Sequence, residues 1–399
     1  MENTKSNYIF SMIWLYFCIY FLNFLNISNT VVLLIGAGLC VGMAIYQKRL
    51  CIDFGLCLLA ITLVSYYTIV NGLDGITYAI LYIPLMIYIL GNYVFGFLEN
   101  DEYINKRIRL LLWALVIGFT IYGILNSYMY YAGYVIPGTR RWEDFWSHEI
   151  VPGTQHTVYF LPMMAIFFPT MVSLKERKWK SILVILITLF FCYTSLVTKS
   201  RMPLLIFVLT VFAQCILYVG VEWKKVKKLI FTKNTWIVFS ALLAAAVLTF
   251  AFVKDTKVMS AFIANLGKDG GILNNVRFVA QREAISQLFK YPMGGRRMTM
   301  ALGNYCHNTW LDMANAGGLI PFFAFTVYTV YSIYELFELI KQKEISTEIK
   351  LMTLGIYGVF FLYFSVEPAL DASIHYLTPW IFINSLVHGL RMNRGKTNE

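Results

Sequence analysis

Apolar residues in this chain come in blocks of about 17–25, the length that carries an α-helix across a hydrocarbon core. Hydrophobic residues make up 58% of the 399 positions and charged ones 14%, more apolar surface than a soluble fold of this size hides. Backbone polar groups in lipid must be satisfied within a helix or a closed barrel, and the blocks lack the alternation of barrel strands. The expected fold class is therefore all-α integral membrane, a single polytopic domain over 1–399. The expected spans are 8–27, 30–46, 52–70, 76–98, 110–132, 156–173, 181–197, 202–220, 235–253, 316–340, 351–366 and 377–390, twelve in all.

Charge orients these spans. The net charge is +11. In a soluble protein that would point to nucleic acid, but tracts of alternating basic and aromatic residues on soluble elements are absent, and no nucleic-acid partner is expected. Basic residues instead hold cytoplasmic loops inside. With the N-terminus inside, the inner segments carry 21 of the 33 lysines and arginines. The other twelve sit in three outer places: Arg140 and Arg141, Lys199 and Arg201, and eight in 254–315. Both termini are thus expected in the cytoplasm. Lys5 precedes the first apolar run without a small-residue cleavage site, the pattern of a retained first helix. No internal repeat is visible and no interrupted helices stand in matching positions, which argues against an inverted-repeat transporter. Of seven cysteines only Cys306 lies in a loop, and there is no CxxC pair; neither a disulfide framework nor a metal site is indicated.

The outer loops carry the chemistry. In the long loop 254–315, between spans nine and ten, Gly267–Gly271 reads as a turn region. Asn274-Asn275 can cap an amphipathic helix near 276–290, with Phe278, Ile285 and Phe289 as its apolar stripe and Arg277 and Arg282 on opposite edges. Such a helix would lie against the bundle or the lipid interface. Gly294-Gly295-Arg296-Arg297 reads as a mobile turn with two further cations. Arg201 is expected at the outer membrane boundary, either snorkelling to headgroups or facing a cavity, with Pro203 in the first turn of the next helix. The second outer loop, 133–155, joins Arg140 and Arg141 to Trp142, Phe145 and Trp146, as an aromatic belt or a platform for sugar rings.

His307 closes the long loop, followed by Asn308 and the next helix. Free imidazole titrates at about pH 6.5, so a histidine can serve as general base at neutral pH. Guanidiniums stabilise a phosphate leaving group bidentately and stay charged. A base with arginines and no metal-ligand cluster fits metal-independent displacement of a lipid-linked phosphate or diphosphate. The bland alternatives are an interfacial histidine and a helix whose arginines bind lipid headgroups.

Three short motifs, in order, resemble the Wzy polymerase and O-antigen ligase family of bacterial membrane glycosyltransferases. They are Ser200-Arg201 at a helix edge; Arg277, then Ala284, then Pro292-Met293-Gly294; and His307-Asn308 leading to Leu311, Gly317 and Gly318. They cover roughly 198–320. The turn reads Gly-Gly-Arg-Arg where many members have Gly-x-Gly. The resemblance implies a GT-C-type helical fold in the bacterial plasma membrane, a glycan on undecaprenyl diphosphate as donor, and no cofactor. It implies His307 as the base activating the acceptor hydroxyl and Arg201 and Arg277 as diphosphate ligands. Arg282, Arg296, Arg297, Arg140, Arg141 and Asn308 are further substrate-binding candidates. A chain-length regulator and a flippase are the implied partners beside the membrane lipid.

Abundant Ile, Lys, Asn, Tyr and Phe fit the AT-rich genome of a Gram-positive cell, which has no lipopolysaccharide; this favours polymerase over ligase. A flippase or other transporter would instead place charges inside the bundle and need no His307. A peptidoglycan-type polymerase would rely on an outer carboxylate such as Asp255, Asp269 or Asp312. Glu367 and Asp371, also outer, are expected to orient arginines.

Overall fold

The computed structural model describes residues 2–22, 29–71, 75–94, 101–173, 178–230, 276–301, 303, 305–369 and 376–395. The protein is mostly helical. Six described helices are long and apolar enough to cross a membrane, and two shorter apolar ones, Asn7–Leu22 and Phe54–Val70, stand beside them. The expected ninth span, 235–253, and the first part of the long loop lie outside the described residues.

The helices are α1 (Glu2–Leu22), α2 (Asn29–Gln47), α3 (Phe54–Asn71), α4 (Gly75–Tyr93), α5 (Asp101–Tyr131), the short α6 (Gly153–His156), α7 (Leu161–Ala165) and α8 (Phe167–Val172), then α9 (Lys178–Val197), α10 (Met202–Val221) and α11 (Trp223–Ile230). After the undescribed stretch come α12 (Val276–Gln287), α13 (Thr309–Gly317), α14 (Leu319–Lys341), α15 (Thr347–Phe364) and α16 (Thr378–Gly395). Close packing of α16 on α4, α14 on α3, α1 on α5 and α10 on α15 builds the bundle. Small residues let backbones approach, as they must where lipid supplies no hydrophobic drive. A Cβ on Gly91 of α4 would fall 2.8 Å from that of Ser385 on α16. Trp380 fills the centre, its ring 5.5–5.7 Å from those of Phe325, Tyr328, Tyr357 and Phe364.

Local chemistry moved several expected boundaries. The segment read as span 156–173 is broken into α6, a 3-10 turn over Thr157–Phe160, α7 and α8. Pro162 and Pro169 each lack the N–H that a continuous helix needs. The span read as 316–340 is two helices, α13 and α14, parted at Gly318 with φ +85°; a side chain is rarely tolerated there, and a Cβ would strike the Pro292 carbonyl at 2.4 Å. α5 starts nine residues before the expected 110, because its polar first turns have partners. Arg107 reaches Asn7 at 2.9 Å, Asn105 donates to the Glu344 carbonyl at 2.9 Å, and Arg109 pairs with Glu348 at 2.9 Å. Loop 133–155 holds a short hairpin, β1 (Arg141–Glu143) against β2 (Ile150–Pro152). Inside it Trp142 is fully buried, stacked on His156 at 4.4 Å and donating to the Asn126 carbonyl at 3.0 Å. Trp142 is thus a loop core, neither a belt nor a sugar platform.

The two ends of the bundle differ. One, called upper below, carries the hairpin loop, the turn 198–201 and residues 365–369. The lower end carries a buried charge network: His388 Nε2 lies 3.4 Å from Asp53 Oδ2, its Nδ1 3.4 Å from Glu335 Oε2, and Arg391 closes on Glu335. Tyr88 donates to Asp53 at 3.0 Å, and Asp53 caps α3 through the Leu56 amide. Ionisable side chains are therefore not confined to loops. Two carboxylates face one histidine and one arginine, so removing a member strands its partner in low dielectric. Arg391 is 41% exposed, so Glu335→Ala is expected to cost about 1–3 kcal/mol, read as a lower melting temperature in detergent. An unchanged midpoint would show that the network carries no stability.

Candidate functional site

The upper end gathers three segments distant in sequence. Asn308 adopts φ −154°, ψ 117° and caps α13, its side chain accepting from the Leu311 amide at 3.2 Å. In return Asp312 accepts from the amides of Cys306 at 2.6 Å and Asn308 at 3.0 Å. This reciprocal cap brackets His307, which sits at φ +52°, a conformation costly for a residue with a Cβ and frequent at functional sites. Gln281 on α12 donates to the His307 carbonyl at 3.1 Å and to the Ser365 carbonyl at 3.2 Å. Asn308 Nδ2 reaches the same Ser365 carbonyl at 3.3 Å. Thr309 donates to the Glu367 carbonyl at 2.8 Å and accepts from the Ala369 amide at 3.1 Å. The histidine is thus held by α12 and the end of α15 as well as by its own helix.

Glu367 is the hub. Its Oε1 lies 2.9 Å from Arg277 Nη1 and its Oε2 3.4 Å from His307 Nδ1, with the carboxylate side chain only 6% exposed. Arg277 Nη1 also donates to the Val366 carbonyl at 3.0 Å. The expectation that Glu367 orients an arginine agrees with this geometry; its contact with His307 is additional. With Nδ1 turned to the carboxylate, Nε2 is the nitrogen left to take a proton from a substrate, the arrangement that carboxylate–histidine pairs use to fix the tautomer. Partial burial strengthens each charged contact relative to water.

Arg201 reaches the same level by helix geometry. Gln214 of α10 donates to the Leu351 carbonyl of α15 at 2.8 Å, and Gly355 packs on its amide. The two helices run in opposite directions. Arg201 lies thirteen residues above Gln214, about 20 Å at 1.5 Å per residue; the same rise along α15 from Leu351 arrives at its end, Phe364, directly before Ser365. Packed helix axes stand about 8–10 Å apart, which puts Arg201 one helix away from Ser365–Glu367. It precedes α10, half-buried. The turn before it is tight, with Lys199 at φ +57°, and Arg140 Nη1 meets the Lys199 carbonyl at 3.4 Å. The hairpin loop is thereby fastened to the Arg201 turn.

The other candidates are spread out. Arg141 is exposed on β1 and Arg282 is exposed on α12. α12 packs through Ala280 and Ala284, both fully buried, while Phe278, Ile285 and Phe289 are 39%, 58% and 72% exposed. The large apolar stripe therefore does not pack on the bundle, because small residues give the closer helix contact; it faces outward. The turn at Gly294 is docked on its neighbours by backbone hydrogen bonds. Gly295 and Arg296 amides donate to the carbonyls of Ala316 and Asn315 at 2.9 and 2.7 Å, and the Leu319 amide donates to Pro292 at 2.9 Å. It docks on the far end of α13, about 10 Å along the helix from Asn308. There Arg296 lies over the Tyr305 ring at 5.3 Å and Arg297 is exposed. Asp312, with both oxygens taken by amides, is no free carboxylate. Asp255, Asp269 and Asp371 lie outside the described residues.

Sequence reading missed Gln281 and the structural role of Asp312. Both left a signal: Gln281 follows Arg277 by one helical turn, and Asp312 follows a capping Asn308 by four residues. Among the described residues no three acidic, histidine or cysteine side chains group as metal ligands. No protein-family model matches the chain, and no curated protein or solved structure matches it.

Proposed function

We propose that the protein is a glycosyltransferase of the plasma membrane that polymerises undecaprenyl-diphosphate-linked oligosaccharide repeat units into a surface polysaccharide. The observation that carries this reading is the shared carboxylate: Glu367 touches both a histidine and an arginine at one end of a helical bundle, with Arg201 on the same level. His307 Nε2 takes the acceptor hydroxyl proton, the acceptor oxygen bonds to the anomeric carbon with inversion, and the bond to the lipid diphosphate breaks. Arg277, held by Glu367 and the Val366 carbonyl, receives with Arg201 the negative charge leaving on the diphosphate. The twelve-span GT-C arrangement, with both termini cytoplasmic and the site outside, belongs to this proposal, as does the resemblance to the Wzy polymerase and O-antigen ligase family. A ligase would use the same groups on a different acceptor.

The test is the purified protein with an undecaprenyl-diphosphate-linked repeat unit. Chain extension that survives a metal chelator is the expected result; extension abolished by the chelator rejects metal-free displacement. A transporter is the second reading, favoured by the charge network of Asp53, Glu335, His388 and Arg391 at the lower end of the bundle. In liposomes, movement of the lipid-linked saccharide across the bilayer without extension would support it against the polymerase.

A further inference from the structure

A separate feature occupies the lower end, where α9 begins and α10 finishes. α10 ends at Val221, Glu222 makes the hinge, and the chain continues as α11, Trp223–Ile230, of sequence WKKVKKLI. Helical spacing puts positions 223, 226, 229 and 230 along one side and positions 224, 225, 227 and 228, all lysines, along the other. Val226 is buried while Lys224 and Lys227 are exposed, as that division requires. The hinge is fixed from outside: Thr347 at the start of α15 donates to Glu222 Oε1 at 2.7 Å. α9 opens at the same end with Lys178-Trp179-Lys180. Trp179 is 84% exposed and Trp223 54% exposed.

Above these tryptophans α9 and α10 turn bare apolar side chains outward, Leu186 and Phe212 among them at 59% and 64% exposure. An exposed apolar belt that ends in two exposed tryptophans marks the depth of a membrane interface. Six lysines, and no acidic residue, occupy α11 and the first turn of α9. We propose that this end binds anionic phospholipid headgroups, with α11 seated on the protein through Val226 and its lysine side turned to the phosphates. Charge complementarity selects the partner: a zwitterionic headgroup offers these ammonium groups no net attraction. Arg201 lies at the opposite end of α10, about 30 Å away, so this surface is independent of the reaction proposed there.

The experiment uses the full chain in phosphatidylcholine nanodiscs that contain either brominated phosphatidylglycerol or brominated phosphatidylcholine. Tryptophan quenching gives the relative association constant of the two lipids. The parent is expected to prefer phosphatidylglycerol. The variant Lys224→Gln, Lys225→Gln, Lys227→Gln, Lys228→Gln is expected to lose about fivefold for each lysine that contacts a headgroup, and the corresponding arginine variant to keep the preference. High salt should weaken it. Equal association of both lipids with the parent, or an undiminished preference in the glutamine variant, overturns the proposal. So does loss of the preference to inorganic phosphate at matched ionic strength, which would assign the lysines to free anions.

Discussion

His307→Ala is expected to lower chain extension by about 10²–10⁴-fold, the usual contribution of a positioned general base. The reason is the placement of the ring. Its backbone is bracketed by the Asp312 cap and the Gln281 bond to its carbonyl, and alanine keeps all of these. Only the imidazole and its contact with Glu367 disappear. The alanine variant should therefore insert and melt nearly as the parent does. His307→Asn provides a second variant, since asparagine is at ease at the positive φ found here. Extension at the parent rate by either protein, measured with a lipid-linked repeat unit, rejects the base assignment.

The second large effect is expected at Glu367. Glu367→Gln removes the charge that faces Arg277 at 2.9 Å and His307 at 3.4 Å while keeping the shape. Arg277 is 32% exposed, so the loss of stability should be about 1–3 kcal/mol, below the value for a fully buried pair. The activity loss should be larger than that accounts for. An imidazole freed from its carboxylate is no longer held in one tautomer, and the guanidinium is no longer aimed. We expect kcat to fall about 10²-fold, with Glu367→Asp recovering part of it. A variant that melts lower but turns over at the parent kcat when folded would confine Glu367 to a structural role.

How much of this was legible beforehand differs by level. Helical character followed from block length, and α9 and α10 stand nearly where hydropathy puts them, because a span is decided by the residues inside it. The breaks at Pro162, Pro169 and Gly318 were written in the sequence but overridden by the apolar run around them. The first turns of α5 looked like loop because Asn105, Arg107 and Arg109 are polar, and their partners on α1, α15 and the 344–346 turn were out of view. On α12 the apolar stripe left open whether the helix meets the bundle or the lipid interface; the bundle contact fell to Ala280 and Ala284, which allow closer approach, and the stripe faces outward.

By itself the sequence determined that this chain is an apolar helical bundle and that a histidine followed by an asparagine, and several arginines, sit in its polar segments. These are properties of residue type and short-range period. Only the tertiary structure decided which arginines meet the histidine. Arg277 does, through Glu367, ninety residues further along; Arg201 comes to the same level because α10 and α15 run antiparallel; Arg296 and Arg297 are drawn off to the other end of α13. The physical reason is that an ion pair is fixed by distances of a few ångströms between side chains, and those distances are set by how helices cross, a quantity that no local window of sequence contains.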